Sequence, residues 1–480
     1  MNFRFLPYCL CGLSGLLAIG AGCGQGRAEP AGQRQPFDSA AADTSIAKPA
    51  PETLAPRPAK SLAAGEAWPG WRGPSGQGIA VHTQLPEAWP EDRPQPFWKA
   101  PLGTGWSSPV VAAGRVVITD RQGATERTLA FDAETGERIW ERSHAVDFDP
   151  HDVGARHGNG PKATPLVRDG RVYSLGIAGW LECLDLKDGG VVWQVNLPAK
   201  FGAREALPGG RAFVNGTENV IVPIGDGQGA PVPLFGYTGS PTFADDLLVC
   251  SVGGQRGGTI MAFHAETGEP AWQALRENVS YSSPIVAEIA GMKQIVAMTG
   301  PHVVGLDPAD GRVLWKHPFQ IQYDESIGTP VASGEYVLMT ATGRPLTALR
   351  ISHDGDQWRK QLAWENPDLT SYLSSMLIHD GHAYGMNDGG ELACIRLNDG
   401  KTVWIEGHHG YYCTPVLADT RLFCLNERCE LLLIEATAEG YRPRGQSRLA
   451  DDESWTSPAI VGSRIYLRSK QGLRAFDFGR

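Results

Sequence analysis

The most polar and glycine-rich connection in this chain runs His151-Asp152-Val153-Gly154-Ala155-Arg156-His157-Gly158-Asn159-Gly160-Pro161-Lys162. Arg156, His157, Asn159 and Lys162 bring donors and positive charge to one loop, and binding groups concentrate on loops held by a rigid frame. His151, Asp152 and His157 are metal-ligand types, but their spacing matches no zinc pattern, and a solvated loop is the competing reading. His408-His409 is a similar case, and no metal site is assigned. A second set is aromatic: Trp106, Tyr281, Tyr412 and Trp455 each stand three residues before a Pro or its equivalent, with Tyr237 and Tyr372 slightly further back. Rings with a polar tip suit a site that grips a planar ligand or a partner loop, or they pack on one another as filling. Nucleophile–base pairs and paired carboxylates do not stand out, so no catalytic residue is named.

Two further motifs belong to this inventory. Gly225-Asp226-Gly227-Gln228-Gly229 suggests a phosphate loop, but it neither follows a strand nor opens a helix, and it reads as part of an inserted loop from Lys200 to Tyr237. Cys424 and Cys429 flank Leu425-Asn426-Glu427-Arg428. A two-residue turn at Asn426-Glu427 would set them opposite each other for a disulfide; the alternative is two reduced core thiols.

The elements that must position these residues repeat. Ala130 to Trp140 reads Ala-Phe-Asp-Ala-Glu-Thr-Gly-Glu-Arg-Ile-Trp, and variants end on Trp193, Trp272, Trp315 and Trp404. An apolar strand end meets an Asp, then a turn whose Gly supplies positive φ, then a strand closing on Trp. That Trp offers a large flat face and an indole N–H that needs a partner when buried, so it can wedge between neighbouring sheets. A second anchor alternates with the first: Ser108-Pro109, Thr164-Pro165, Ser240-Pro241, Ser283-Pro284, Thr329-Pro330, Thr414-Pro415 and Ser457-Pro458, with Ser375-Met376 as a degenerate copy. Pro fits the first residue of a strand, where no ladder N–H is missed.

Eight units with strand periodicity and no helical periodicity predict an all-β fold, an eight-bladed β-propeller with four-stranded blades over residues 97–480. The chain ends on Leu473-Arg474-Ala475-Phe476-Asp477-Phe478, half a repeat without its Trp, and Phe97-Trp98-Lys99-Ala100 reads as the missing strand that closes the last blade and hides its edge. The aromatics before the anchors then crowd the mouth of the central channel.

Ahead of the ring, residues 1–23 have the layout of a secretory signal: Arg4, an apolar run from Leu10 to Ile19, and small residues before Cys23. Lipidation of Cys23, simple cleavage near Ala28 and a bare anchor all stay open. Residues 24–64 are a Pro/Ala-rich tether without an apolar period, and 65–96 form a lead-in. The formal charge of −10 gives no support to a nucleic-acid surface, and 42% hydrophobic with 20% charged residues suits a chain with a large core.

The Ala-x-Asp-x-x-Thr-Gly-x-x-x-Trp pattern resembles the tryptophan-docking repeat of quinoprotein dehydrogenases, which bind pyrroloquinoline quinone. The opening Trp68-Pro69-Gly70-Trp71-Arg72-Gly73-Pro74 resembles exported quinoprotein-like propellers of unassigned function. The dehydrogenase resemblance implies a quinone set against a disulfide of adjacent cysteines, with calcium held by Glu, Asn and Asp. Here Cys183, Cys250, Cys394, Cys413, Cys424 and Cys429 include no adjacent pair. The chain also resembles the propeller lipoprotein of the outer-membrane barrel-assembly machinery in export signal, blade type and size, which implies an activity by contact. The expectation is a monomeric, exported scaffold without a cofactor. It would bind envelope proteins through its channel-mouth loops and meet the membrane only through a lipid or an N-terminal anchor. The alternatives are a dehydrogenase using pyrroloquinoline quinone with calcium, and a module binding a glycan or small molecule.

Overall fold

Every blade begins where its sequence predicts. A computed structural model describes residues 67–479 apart from 88, 90–92, 151, 202–210, 215–216, 222–232, 234, 254–256 and 322–323. The expected secretory signal with Cys23, the expected tether, His151 and the Gly225–Gly229 motif therefore lie outside the described residues. Eight antiparallel four-stranded sheets follow one another along the chain, and their innermost strands start at Val110, Leu166, Thr242, Ile285, Val331, Leu377, Val416 and Ala459. The expected all-β, eight-bladed propeller is what the chain forms. Its ring closes as the sequence anticipates: Trp98–Ala100 is the outer strand of the last blade, with Trp98 opposite Ala475 and Ala100 opposite Leu473.

The repeat tryptophans explain the cohesion of the ring. Each stands across the ladder from a small or sulfur-bearing residue: Ala130 faces Trp140, Cys183 faces Trp193, Ala262 faces Trp272 and Cys394 faces Trp404. From there the indole N–H reaches into the turn of the next blade, Trp140 to Leu186 O at 2.9 Å, Trp193 to Ala265 O at 2.8 Å, Trp272 to Pro308 O at 3.0 Å and Trp404 to Thr437 O at 2.8 Å. The ring lies on the turn glycine, which has φ near +70° at Gly189, Gly268 and Gly311. One contact thus satisfies a buried donor and buries a large apolar face. Trp98 does the same from the closing strand, to Ala133 O at 3.1 Å, and so does Trp364, to Leu397 O at 2.9 Å. The sequence pattern misses Trp364 because the hairpin of the fifth blade, Arg344–Asp354 with Gln357–Asn366, is longer, although Ala348 still faces Trp364.

Trp315 departs from the expected docking role. Its indole N–H turns back to Gln294 Oε1 in its own blade, at 2.7 Å. Gly305 stands where the other blades with a tryptophan on the outer strand have Ala or Cys, and the Trp315 indole occupies the space that a Cβ there would need. The seventh blade has Gly445 at the tryptophan position, and Trp89 of the lead-in fills that slot from outside, against Phe423 and Phe478.

The Ser/Thr anchors have a shared task that their sequence does not announce. The backbone N–H of one anchor donates to the hydroxyl of the next: Ser108 to Thr164, Thr164 to Ser240, Ser240 to Ser283, Thr329 to Ser375, Ser375 to Thr414, and Ser457 back to Ser108, all between 2.9 and 3.1 Å. These bonds lace the innermost strands into a girdle around the channel.

The lead-in is structural rather than a bare connection. Trp68 pairs with Val111 of the first blade, Pro69 O accepts Val167 N–H of the second, and Ile79–Ala80 runs parallel to Val416–Ala418 of the seventh. The Trp71 indole donates to Thr329 Oγ1 at 2.8 Å, and buried Arg72 donates to Met376 O. These contacts run from the anchors at Thr329 and Met376 to the middle of the innermost strands at Val111, Val167 and Leu417, so the lead-in lies on the side of the girdle away from Trp106, Tyr281, Tyr412 and Trp455.

Candidate functional site

The site grows from the girdle. Because each innermost strand begins at its anchor, the residues just before the anchors converge on one end of the channel. Trp106 and Trp455, from the first and last blades, stack with centroids 5.0 Å apart and planes 15° apart. Tyr412 meets Trp455 edge-on at 5.2 Å, and Tyr372 follows at 6.3 Å from Tyr412. Tyr281 is met by Phe235 at 5.0 Å. Aromatic pairs at these separations and tilts attract through their quadrupoles as well as by burial.

Residues Asp152–His157, a short 3₁₀ turn between the first and second blades, lie as a strap over this mouth. Arg156 donates to Tyr372 Oη of the sixth blade at 3.0 Å, and Tyr372 donates to Glu325 of the fifth at 3.1 Å. His157 sits beneath, within ring contact of Phe235, Tyr372 and Trp455. Its Nε2 accepts from Arg156 Nε at 3.2 Å, which leaves the proton on Nδ1. Burial, then the charges of Arg156 and Lys162, lower the His157 pKa to about 4, so the imidazole is neutral at physiological pH. Lys162 donates to Gly158 O and Phe235 O, and burial lowers its pKa to about 8. Burial raises the Glu325 carboxyl, and the Tyr372 phenol is pushed up to about 12 by burial and then by Glu325.

Under the strap lies a cavity of about 130 Å³ with Trp106, His157, Lys162, Phe235, Tyr281, Glu325 and Trp455 among its walls, and with girdle residues Ser240, Ser283, Thr329 and Ser375. Trp71 of the lead-in borders both this cavity and a second one at the opposite end, so it divides the channel.

The sequence-stated residues are thus distributed as follows. Trp106, His157, Lys162, Tyr281 and Trp455 line the cavity, Tyr372 and Tyr412 extend its aromatic wall, and Arg156 is exposed on the strap. Asn159 faces Thr104, whose hydroxyl it accepts at 3.3 Å. Tyr237 is a correction: it is 2% exposed and packs between the second and third blades, because its N–H is drawn to Ile177 O. The Cys424–Cys429 disulfide is corrected too. The turn spans Asn426–Cys429 instead of two residues, with Asn426 Oδ1 accepting Arg428 and Glu430 N–H, so Leu432 stands opposite Cys424. Cys429 takes a left-handed φ of 56°, and both thiols are free. Phe235, Glu325 and Trp71 were missed. Phe235 and Glu325 carry no repeat signal, and Trp71 belongs to a segment without strand periodicity.

The residues do not fit a calcium-bound quinone. All six cysteines described are free and buried, none is among the walls of the cavity, and Glu325 is the one carboxylate among its described walls. Among the described residues no three His, Cys, Asp or Glu side chains gather as a metal site.

Comparison with known proteins agrees with this architecture. Outer membrane protein assembly factor BamB of Burkholderia pseudomallei is 26% identical over 393 residues, covering 76% of this chain and 92% of that protein. The crystal structure of BamB from Moraxella catarrhalis superposes with a TM-score of 0.52 at 14% identity, over 77% of this chain and 92% of the other. Quinohemoprotein alcohol dehydrogenase from Comamonas testosteroni shares the fold, with a TM-score of 0.55 at 13% identity over 87% and 81% of the two chains. The family model described as outer membrane protein assembly factor BamB matches residues 129–406, more than half of the sequence, and the chain belongs to that family.

Proposed function

We propose that this chain is an envelope scaffold that binds protein partners through the strapped mouth of its propeller and takes part in outer-membrane protein assembly. The observation that supports this reading most is a similarity to assembly factors over nearly their whole length, 92% of the Burkholderia pseudomallei protein. The geometry supports the mouth as the contact face. The opposite channel end is crossed by the lead-in. At the mouth, Arg156 and His408 are exposed, and Tyr411 is 53% exposed beside the half-buried Tyr412. A large ring and a guanidinium on a firmly packed base are side chains that anchor interfaces.

The test compares the full-length chain with a variant carrying Tyr411→Ala and Arg156→Glu, each expressed in the native host and purified from gently solubilised envelopes. Co-purified β-barrel assembly proteins are quantified. The reading expects them with the parent chain and a loss of at least ten-fold with the variant. Equal recovery from both would remove the mouth from the account, and recovery of none by the parent would remove the scaffold.

A further inference from the structure

The walls of the channel cavity are rich in donors and poor in acceptors. Ser240, Ser283 and Ser375 each use the hydroxyl oxygen to accept a backbone N–H from the girdle. A hydroxyl keeps its proton to donate, and no described residue accepts the protons of these three. All three side chains are 6% exposed or less and line the cavity. Lys162 lines it as well, and its ammonium meets two carbonyls and no carboxylate, with a third N–H to give. His157 has its acceptor nitrogen occupied and its remaining N–H to offer. On the acceptor side stands Glu325, already engaged by Tyr372.

A cavity with this inventory favours an occupant that is anionic and rich in acceptors, since the buried Lys162 ammonium touches no carboxylate and feels only the more distant charge of Glu126, which leaves its burial costly. The aromatic surfaces of Trp106, Trp455, Tyr281 and Phe235 add a preference for a flat ring. We infer that the channel cavity beneath the strap is a binding site for a planar aromatic carboxylate of one or two rings, with the carboxylate on Lys162 and the girdle hydroxyls. This site is separate from protein docking on the exposed rim, and either can fail without the other.

The full-length protein is titrated with naphthalene-2-carboxylate, with its neutral counterpart 2-naphthylmethanol and with acetate, by calorimetry and ligand-observed NMR. The acid is expected to saturate with a Kd below about 1 mM and to bind at least ten-fold more tightly than the alcohol or acetate, because a buried charge-assisted pair is worth more than a neutral contact. Its affinity should fall as pH rises through about 8, where Lys162 loses its proton. Lys162→Met should weaken the acid at least ten-fold and leave the alcohol unchanged, and Ser283→Ala, which keeps the ammonium, should weaken it a few-fold. Equal binding of acid and alcohol, equal binding of acetate, or full affinity in both Lys162→Met and Ser283→Ala would each overturn the assignment. If Lys162→Met does not fold, the pH profile of the parent and Ser283→Ala decide it: a flat profile with unchanged affinity overturns the site.

Discussion

Substituting Gly136 by Ala separates the two jobs that a turn glycine performs in this ring. Gly136 has φ of 72°, and a Cβ built there would lie 2.6 Å from the indole of Trp98, the tryptophan that closes the ring. Gly114 has nearly the same φ, 70°, and nothing within 4 Å of its Cβ. Gly114→Ala therefore costs only the left-handed strain of an L-residue, about 1–2 kcal/mol. Gly136→Ala costs the same strain and in addition pushes the Trp98 ring out by roughly 1 Å, since carbon atoms rest at about 3.5–4.0 Å. That displacement strains the packing and the Trp98 hydrogen bond to Ala133 O, adding about 2–3 kcal/mol. The expected losses are about 3–5 kcal/mol for Gly136→Ala and about 1–2 kcal/mol for Gly114→Ala. Urea unfolding followed by far-UV circular dichroism measures both. In a Trp98→Ala background Gly136→Ala should cost no more than Gly114→Ala, so the double-mutant cycle should show a coupling of about 2 kcal/mol. Losses for the two substitutions within about 0.5 kcal/mol of each other, with no coupling, would refute the docking argument.

Other consequences follow from particular contacts. His144 lies between the buried carboxylates of Glu126 and Glu182, at 3.4 and 3.5 Å; burial opposes its charge, but the two carboxylates raise its pKa to about 9. A raised folded-state pKa stabilises fully below the ordinary histidine value near 6.5 and is lost as pH rises through 9, so the urea midpoint should fall between pH 7 and 10 by more in the parent than in His144→Gln. Trp315→Phe strips the donor from Gln294 Oε1, whose side chain is fully buried, and should cost about 1–3 kcal/mol, much of it recovered when Gln294→Leu is added. The six described cysteines are buried free thiols, so a thiol reagent should label none of them in the folded protein and all six in urea, and labelling that stops at four would show a disulfide among them.

The fold was legible in the sequence because its two anchors are tied to backbone requirements. A turn needs positive φ at Gly136, a strand start tolerates Pro109, and an unfinished final repeat asks for the strand that Trp98–Ala100 supplies. What stayed hidden depends on partners distant along the chain. The girdle needs Ser457 N–H beside Ser108 Oγ, and the seventh blade borrows Trp89 because Gly445 leaves its slot open. Neither relation has a local period to read. The aromatic mouth was half legible for the same reason. Residues at a fixed offset from an anchor, such as Trp106 and Trp455, could be placed, whereas Phe235 and Glu325 arrive from loops of irregular length. Tyr237 shared the offset loosely, and a backbone bond to Ile177 took it into the core. The disulfide failed on one count, the length of a turn that Asn426 caps by accepting two amides.

The claim that partners meet the strapped mouth is tested most directly by site-specific photocrosslinking in the native envelope. A benzophenone amino acid is placed at Tyr411 or Arg156 on the mouth rim, or at Ser75, which is exposed on the lead-in at the opposite channel end. The account predicts adducts with outer-membrane assembly proteins from Tyr411 and Arg156 and none from Ser75. Adducts from Ser75 with both rim positions silent would contradict it.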